Sequence, residues 1–94
     1  STLSQLEELN LRNVGLSDKG IEAISSIQSL RLLNLSTHKR SGEKAFNAIS
    51  DRGVSSLASL PNLERLDLRG CTEVSAQAVE ELRLNNPDLM VVLD

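Results

Sequence analysis

The chain has 94 residues, a formal net charge of −3, one Phe, one Cys and no Trp or Tyr. This composition excludes an aromatic core and argues against nucleic acid as the partner, while a single Cys excludes a disulfide framework and favours a reducing cytoplasmic or nuclear setting. No apolar run approaches the roughly 20 residues of a membrane span, and we find no signal-peptide pattern. We therefore expect an intracellular protein that does not bind membranes, and the start at Ser1 indicates a fragment or processed form of a longer protein.

A leucine spacing, Leu-x-x-Leu-x-Leu, occurs three times along the chain. The copies begin at Leu6, Leu30 and Leu63, and a weaker fourth copy follows with Leu89 and Val92. Successive copies therefore start 24, 33 and 26 residues apart. Self-similarity at periods of roughly 20 to 50 residues indicates a solenoid, in which each repeat packs against its neighbours.

The end of each copy alternates apolar and polar residues, at 9–11, 33–35 and 66–68. This alternation predicts a short strand whose leucines point inward. Because the repeats stack, the strands are expected to form a parallel ladder.

A second block follows each predicted strand, at 16–21, 49–54 and 74–79. The first two blocks contain Ser-Asp, which predicts a helix start: the Ser side chain accepts from a first-turn N–H and the Asp meets the positive end of the helix dipole, together worth about 1 to 2 kcal/mol. In the third block Ala76 and Ala78 replace the Asp and Gly of the other two. Apolar residues then recur every three positions, which predicts one helix face turned toward the strands.

These residues resemble the leucine-rich repeat family over nearly the whole chain. The Leu-x-x-Leu-x-Leu-x-x-Cys motif that ends at Cys71, with the Ser-Asp blocks, is similar to the cysteine-containing repeats of F-box proteins. The matching positions in the other copies hold Val14 and His38. The longer repeats of ribonuclease inhibitor and the Ran GTPase activator also fit residues 6–20, but they recur at about 28 residues, so the shorter spacings favour the cysteine-containing type.

The resemblance implies an α/β leucine-rich-repeat solenoid with short parallel strands on its concave side and short helices on its convex side. We expect a single domain over residues 1–94 with about three and a half coils, at approximately 3–26, 27–59 and 60–85 with a terminal strand at 86–94. The implied function is a non-catalytic protein-protein interaction module, which in an F-box-type protein is the substrate-recognition part of a ubiquitin ligase.

Strand residues that point away from the leucines are expected to line the concave face and to bind the partner. They are Glu8, Asn10, Arg12, Leu32, Asn34, Ser36, Arg65, Asp67 and Arg69, followed by Val91 and Leu93. The first nine carry three Arg against one Glu and one Asp, which favours an acidic protein partner. A solvated sheet face without function is the alternative. Val91 and Leu93 are also interpreted as an open edge that docks onto another coil or subunit.

The turn of the second copy is longer than its counterparts, with 13 residues at 36–48 against 4 at 12–15 and 5 at 69–73. Such a lengthening costs only about 1 kcal/mol, so an insertion without function remains an alternative. Insertions often map to the binding face, and a Phe in a basic loop makes an efficient anchor. The additional contact candidates are His38, Lys39, Arg40, Lys44 and Phe46.

Catalytic and metal chemistry were weighed at His38 and Cys71, which hold equivalent positions in adjacent copies. A Cys beside a His can act as a nucleophile, but we identify no third orienting group, and buried surroundings raise the pKa of a thiol. One His and one Cys fall short of the ligands of a structural zinc site. We therefore expect no enzyme, no cofactor and no metal. The alternative functions are an assembly subunit that docks through its C-terminal edge in a larger complex and, less favoured, a small-GTPase regulator.

Overall fold

A computed structural model describes residues 6–12, 14–37 and 47–93, in which strands and helices alternate. The elements are β1 (Glu8–Asn10), α1 (Asp18–Ile24), β2 (Leu32–Asn34), α2 (Asp51–Leu57), β3 (Arg65–Asp67), α3 (Ala76–Asn85) and β4 (Met90–Val92). The strands form one sheet in the order β1-β2-β3-β4, and every neighbouring pair is parallel. This arrangement fits the predicted repeat solenoid.

The strands are aligned residue for residue, so side chains of equivalent positions form rows across the sheet. The inward row is Leu9, Leu33, Leu66 and Val91. The first outward row is Glu8, Leu32, Arg65 and Met90. The second outward row is Asn10, Asn34, Asp67 and Val92. We call the two outward rows together the open sheet face.

The core lies between the inward side of the sheet and the helices. Its buried hydrophobic residues in the described part of the chain are all Ile, Leu and Val, as the composition predicts. Helix residues at the predicted spacing of three, such as Ile21 and Ile24 of α1 and Val54 and Leu57 of α2, are buried in the same cluster as the strand leucines. The described helices therefore pack on the inward side of the sheet.

The fourth strand differs from the prediction by one residue. We expected Val92 to point inward and Val91 and Leu93 to lie on the concave face, but Val91 pairs with Leu66 and is only 8% exposed. Two residues separate Leu63 from the inward Leu66, whereas only Met90 separates Leu89 from Val91. Because side chains alternate along a strand, this missing residue exchanges the two faces.

The predicted placement of Val91 and Leu93 on the concave face was therefore wrong, and Met90 and Val92 take their places on the open sheet face, while the docking role of the edge stays a prediction. Met90 is 60% exposed. Leu93 follows the strand on the same side as Val91, because residues two apart share a face, and it is 46% exposed at the sheet edge.

Candidate functional site

Three of the four strands place the predicted contact residues in the expected rows. Glu8, Leu32 and Arg65 are neighbours in the first outward row, and Asn10, Asn34 and Asp67 are neighbours in the second. The leucine spacing predicted this register correctly because a shift by one residue would expose every inward leucine.

The first outward row offers two charges separated by an aliphatic side chain. Glu8 and Arg65 are exposed and belong to none of the ion pairs formed among the described residues. Leu32 lies between them and is half-buried. Neighbouring strands are about 4.8 Å apart, so the two charges are separated by about 9.6 Å, which is close to the screening length at physiological salt. Among the described residues, neither charge is therefore neutralised in an ion pair.

In the second outward row, side-chain oxygens accept hydrogen bonds from the backbone just after each of the first three strands. Asn10 Oδ1 accepts a hydrogen bond from the backbone N–H of Arg12 at 3.1 Å, and Asn34 Oδ1 accepts from that of Ser36 at 3.0 Å. Asp67 Oδ1 accepts from the N–H of Arg69 at 3.1 Å. A short acceptor side chain that bonds the backbone two residues later is a typical turn former. These oxygens therefore hold the edge of the face in place.

Asp67 and Arg69 form an ion pair beside this edge. Nη2 of Arg69 lies 2.7 Å from Oδ2 of Asp67, and Nε lies 3.0 Å from Oδ1. Burial alone would raise the pKa of Asp67, but the hydrogen bonds from Arg69 and the charges of Arg69 and Arg65 outweigh it, and the pKa is lowered. Asp67 and Ser36 are each 4% exposed, so both predicted contact residues support the face from within.

A second charged group, which the sequence interpretation missed, lies next to the first outward row. Arg31 Nη1 is 2.9 Å from Glu7 Oε1, and Arg31 Nε also bonds Glu64. Glu7, Arg31 and Glu64 each directly follow the first leucine of their repeat. Comparing this position between the repeats would have revealed the alternating charges. The hydrogen bonds that Arg31 donates to Glu64 and then to Glu7 raise the pKa of Arg31, and the bond to Glu64 lowers the pKa of that carboxyl group.

On the helix side, aspartates connect consecutive units. Asp18 accepts hydrogen bonds from the N–H of Ser50 at 2.8 Å and from its hydroxyl, and a further backbone bond from Gly53. Asp51 accepts from the N–H and hydroxyl of Ser75, both at 2.7 Å. Each Asp therefore binds the start of the following helix. The sequence had predicted that each Asp interacts with the dipole of its own helix.

The serine caps predicted at the two Ser-Asp pairs are wrong, and the cap that is observed lies in the third block, which lacks the Asp. Ser17 and Ser50 make no capping hydrogen bond, whereas Ser75 accepts from the N–H of Ala78 at 3.1 Å. A Cβ added at Gly53 would lie 2.5 Å from Oδ1 of Asp18, so the glycine gives that carboxylate access to α2. Ala78 carries a Cβ at the matching position of α3, where Asp51 bonds Ser75 and the Ser75 hydroxyl in turn caps the helix.

The same hydrogen bonds shift the acidity of the two aspartates. Burial raises the pKa of Asp18, but the bonds from Ser50 and Gly53 and the charge of Arg52 together lower it below its ordinary value. The bonds from Ser75 lower the pKa of Asp51, against a smaller opposing effect of desolvation. Both side chains are therefore ionised at neutral pH.

Asn47 is the structural residue that the sequence interpretation missed most completely. It is 4% exposed, and its Nδ2 donates to the carbonyl oxygens of Leu11 at 2.9 Å and Leu35 at 3.1 Å. Its Oδ1 accepts from the N–H groups of Val14 at 3.2 Å and Leu16 at 2.9 Å. One side chain thus joins the first two units. Asn47 lies three residues before the Ser-Asp pair that begins α2, and counting back from that helix could have identified it as a structural residue.

Cys71 makes a related contact one unit later. Its thiol donates to the carbonyl oxygen of Leu35 at 3.4 Å, and the partly buried side chain packs against the core. Asn47 donates to the same carbonyl oxygen. The prediction that His38 holds the position matching Cys71 lies outside the described residues. The further candidates of the insertion lie outside the described residues and stay predictions: His38, Lys39, Arg40, Lys44 and Phe46.

Within 6–12, 14–37 and 47–93, no group of three or more His, Cys, Asp or Glu side chains is arranged to hold a metal ion. Among the helices of the same ranges, none has the length and apolar character that crossing a membrane requires.

A family model described as leucine rich repeat matches residues 3–25 and 45–58. The first match contains β1 and α1, and the second contains α2. No curated protein matches the chain. Together with the parallel strands, these matches support a leucine-rich repeat protein. Such repeats generally mediate protein-protein interactions and are typically non-catalytic.

Proposed function

We propose that this chain is a non-catalytic interaction module that binds a protein partner through the open sheet face. The observation that carries the proposal is the first outward row, where exposed Met90 and half-buried Leu32 flank Arg65. Aliphatic side chains exposed among charges are typical of contact surfaces.

The buried polar atoms of the described residues are satisfied internally, so the contacts open to a partner lie at the surface. None of their buried side-chain nitrogen or oxygen atoms lacks a hydrogen-bond partner. Asp18 and Asp51 bind serines of the next unit, and Arg31 binds two glutamates. Glu8 and Arg65 lie on the open sheet face, and both are exposed and outside the ion pairs among the described residues.

The finer parts of the proposal rest on the sequence. The insertion residues Lys39, Arg40 and Phe46 are proposed to extend the contact, and a protein of the cytoplasm or nucleus is proposed as the host of the module. The Cys71 motif supports a role in substrate recognition by a ubiquitin ligase. An F-box encoded in the full reading frame of the gene would support that role, and a full frame without one would contradict it.

The test of the binding face uses two matched double variants. Leu32→Glu with Arg65→Glu changes the face, and Leu84→Glu with Arg83→Glu makes the same chemical and charge changes on α3, where Leu84 is 73% exposed. Each purified protein is immobilised and incubated with lysate, and the recovered proteins are quantified by mass spectrometry. Circular dichroism establishes that both variants are folded.

We expect proteins recovered by the wild-type chain to be retained by the α3 variant and lost by the face variant. Equal recovery by the folded face variant would contradict binding through this surface.

The second candidate function is assembly into a larger complex through the C-terminal edge of the sheet. It is favoured by the position of β4 at that edge and by Leu93, which is 46% exposed there. Sedimentation of the wild-type chain should then show a complex that Leu93→Asp dissolves. A sedimentation profile that the substitution leaves unchanged would contradict this function.

A further inference from the structure

The first outward row has a fixed order of chemistry across the sheet: acidic, aliphatic, basic, aliphatic. Glu8, Leu32, Arg65 and Met90 are consecutive partners in the strand register. At about 4.8 Å between strands, the four side chains span about 14 Å. A partner therefore meets an ordered pattern of both charge signs, which refines the generally acidic partner expected from the sequence.

The position directly before this row shows why the pattern is open to a partner. There Glu7, Arg31 and Glu64 directly precede three adjacent strands, and Arg31 forms an ion pair with both glutamates. In the first outward row Leu32 stands between the acid and the base, so Glu8 and Arg65 lie two strands apart. Glu8 and Arg65 form no ion pair among the described residues. A partner can therefore place a basic group against Glu8 and an acidic group against Arg65.

The spacing of the row selects the secondary structure of the partner. Helix residues at i, i+4, i+7 and i+11 lie on one stripe, with a mean rise of about 5.5 Å between successive members. Residues i and i+2 of an extended strand share a face at about 6.7 Å. Because the row repeats at about 4.8 Å, a helix lying across the strands matches four positions much better than an extended segment does.

We propose, resting on the interaction function above, that the open sheet face binds an amphipathic helix of the partner protein. The helix lies across the strands with a basic side chain against Glu8 and an acidic one against Arg65. Its aliphatic side chains contact Leu32 and Met90. The second outward row adds polar contacts through the side-chain N–H groups of Asn10 and Asn34, which donate to no acceptor among the described residues.

The experiment uses three synthetic helices of about 16 residues, each held helical by lactam bridges on its far side. All carry Leu at i+4 and i+11. The charged pair at i and i+7 is Lys and Glu in the first peptide, Glu and Glu in the second, and Lys and Lys in the third. Binding to the wild-type chain, Glu8→Lys and Arg65→Glu is measured by fluorescence anisotropy at about 0.15 M salt.

We expect each protein to prefer a different peptide by about fivefold, since each mismatch replaces an attraction by a repulsion. The wild-type chain prefers Lys/Glu, Glu8→Lys prefers Glu/Glu, and Arg65→Glu prefers Lys/Lys. Net charge alone would favour Lys/Lys with the wild-type chain, so a preference for Lys/Glu reports the pattern.

The same order on all three proteins, or no binding tighter than about 1 mM, overturns the proposal. So does tighter binding of an unbridged extended peptide that carries the same four side chains at every second residue. If the peptides fail while the Leu32→Glu, Arg65→Glu variant still loses its protein partner, the interaction function stands and only the helical pattern is wrong.

Discussion

The helix side and the open sheet face use the same stacking of repeats with opposite results. On the helix side, Asp18 meets Ser50 and Asp51 meets Ser75, so stacking satisfies both partners. On the open sheet face, stacking places Leu32 beside Glu8 and leaves that charge without an ion pair among the described residues. The comparison teaches that a stacked position stabilises the fold when neighbouring units are complementary and remains available for binding when they are not.

The largest expected effect separates the two sides of the sheet itself. Leu66→Ala should lower the free energy of unfolding by about 3 kcal/mol, because it leaves a cavity in the core. Leu32→Ala, one strand away on the outward side, should lower it by less than about 1 kcal/mol. Urea unfolding measures both. Equal losses would show that the outward row is part of the core, and the comparison would fail.

A loss of similar size is expected at the polar joint between the first two units. Asn47→Ala should cost about 3 kcal/mol, because it leaves the N–H groups of Val14 and Leu16 and the carbonyl of Leu11 without their partner. Asn62→Ala is the control, since its exposed amide makes one bond to the carbonyl of Gln28. Matching urea midpoints for the two variants would contradict the role assigned to Asn47.

A smaller effect tests the aspartate that caps the next helix. Asp18→Ala should cost about 1 kcal/mol, as the loss of a helix cap does. Gly53→Ala should destabilise the wild-type chain, because the new methyl group meets the Asp18 carboxylate. In the Asp18→Ala background it should be much less harmful, or stabilising by up to about 1 kcal/mol, because Ala favours a helix.

A double-mutant cycle of urea unfolding curves measures this coupling. If the effect of Gly53→Ala is the same in both backgrounds, the Asp18 carboxylate does not lie beside Gly53, and the contact between Asp18 and the start of α2 is not the one described.

The smallest effect expected is the acid sensitivity of the helix side. The pKa values of Asp18 and Asp51 are lowered in the folded state, so their stabilisation is present above the unfolded value of about 3.9 and is lost as pH falls through the folded values. Asp18→Asn should therefore flatten the pH dependence of unfolding below about pH 4. An unchanged slope in thermal unfolding from pH 2 to 5 would contradict this assignment.

The sequence predicted the parts of the fold that repetition controls. The rows through Glu8, Leu32 and Arg65 follow from the leucine spacing, because burying leucines on one face permits one register only. The fourth strand was misplaced because the segment between Leu89 and Val91 is one residue shorter than its counterparts, and alternation by itself does not reveal a deletion.

The parts that were missed depend on contacts between units. A Ser-Asp pair predicts capping within one helix, but Asp18 bonds Ser50 of the next unit, and that pairing depends on how the helices stack. Asn47 belongs to the long turn of the second repeat, which has no counterpart in the other repeats. Comparison of the repeats therefore could not predict its structural role. The sequence also did not reveal which residues of the face are exposed. Asp67 and Ser36 were predicted as contacts, yet both are buried.

The most direct test of the account compares the dissociation constants of the purified partner for the two matched double variants. The account predicts that Leu32→Glu with Arg65→Glu weakens binding at least about tenfold, while Leu84→Glu with Arg83→Glu binds as the wild-type chain does. Equal dissociation constants for the two folded variants would contradict the claim that the open sheet face is the binding surface.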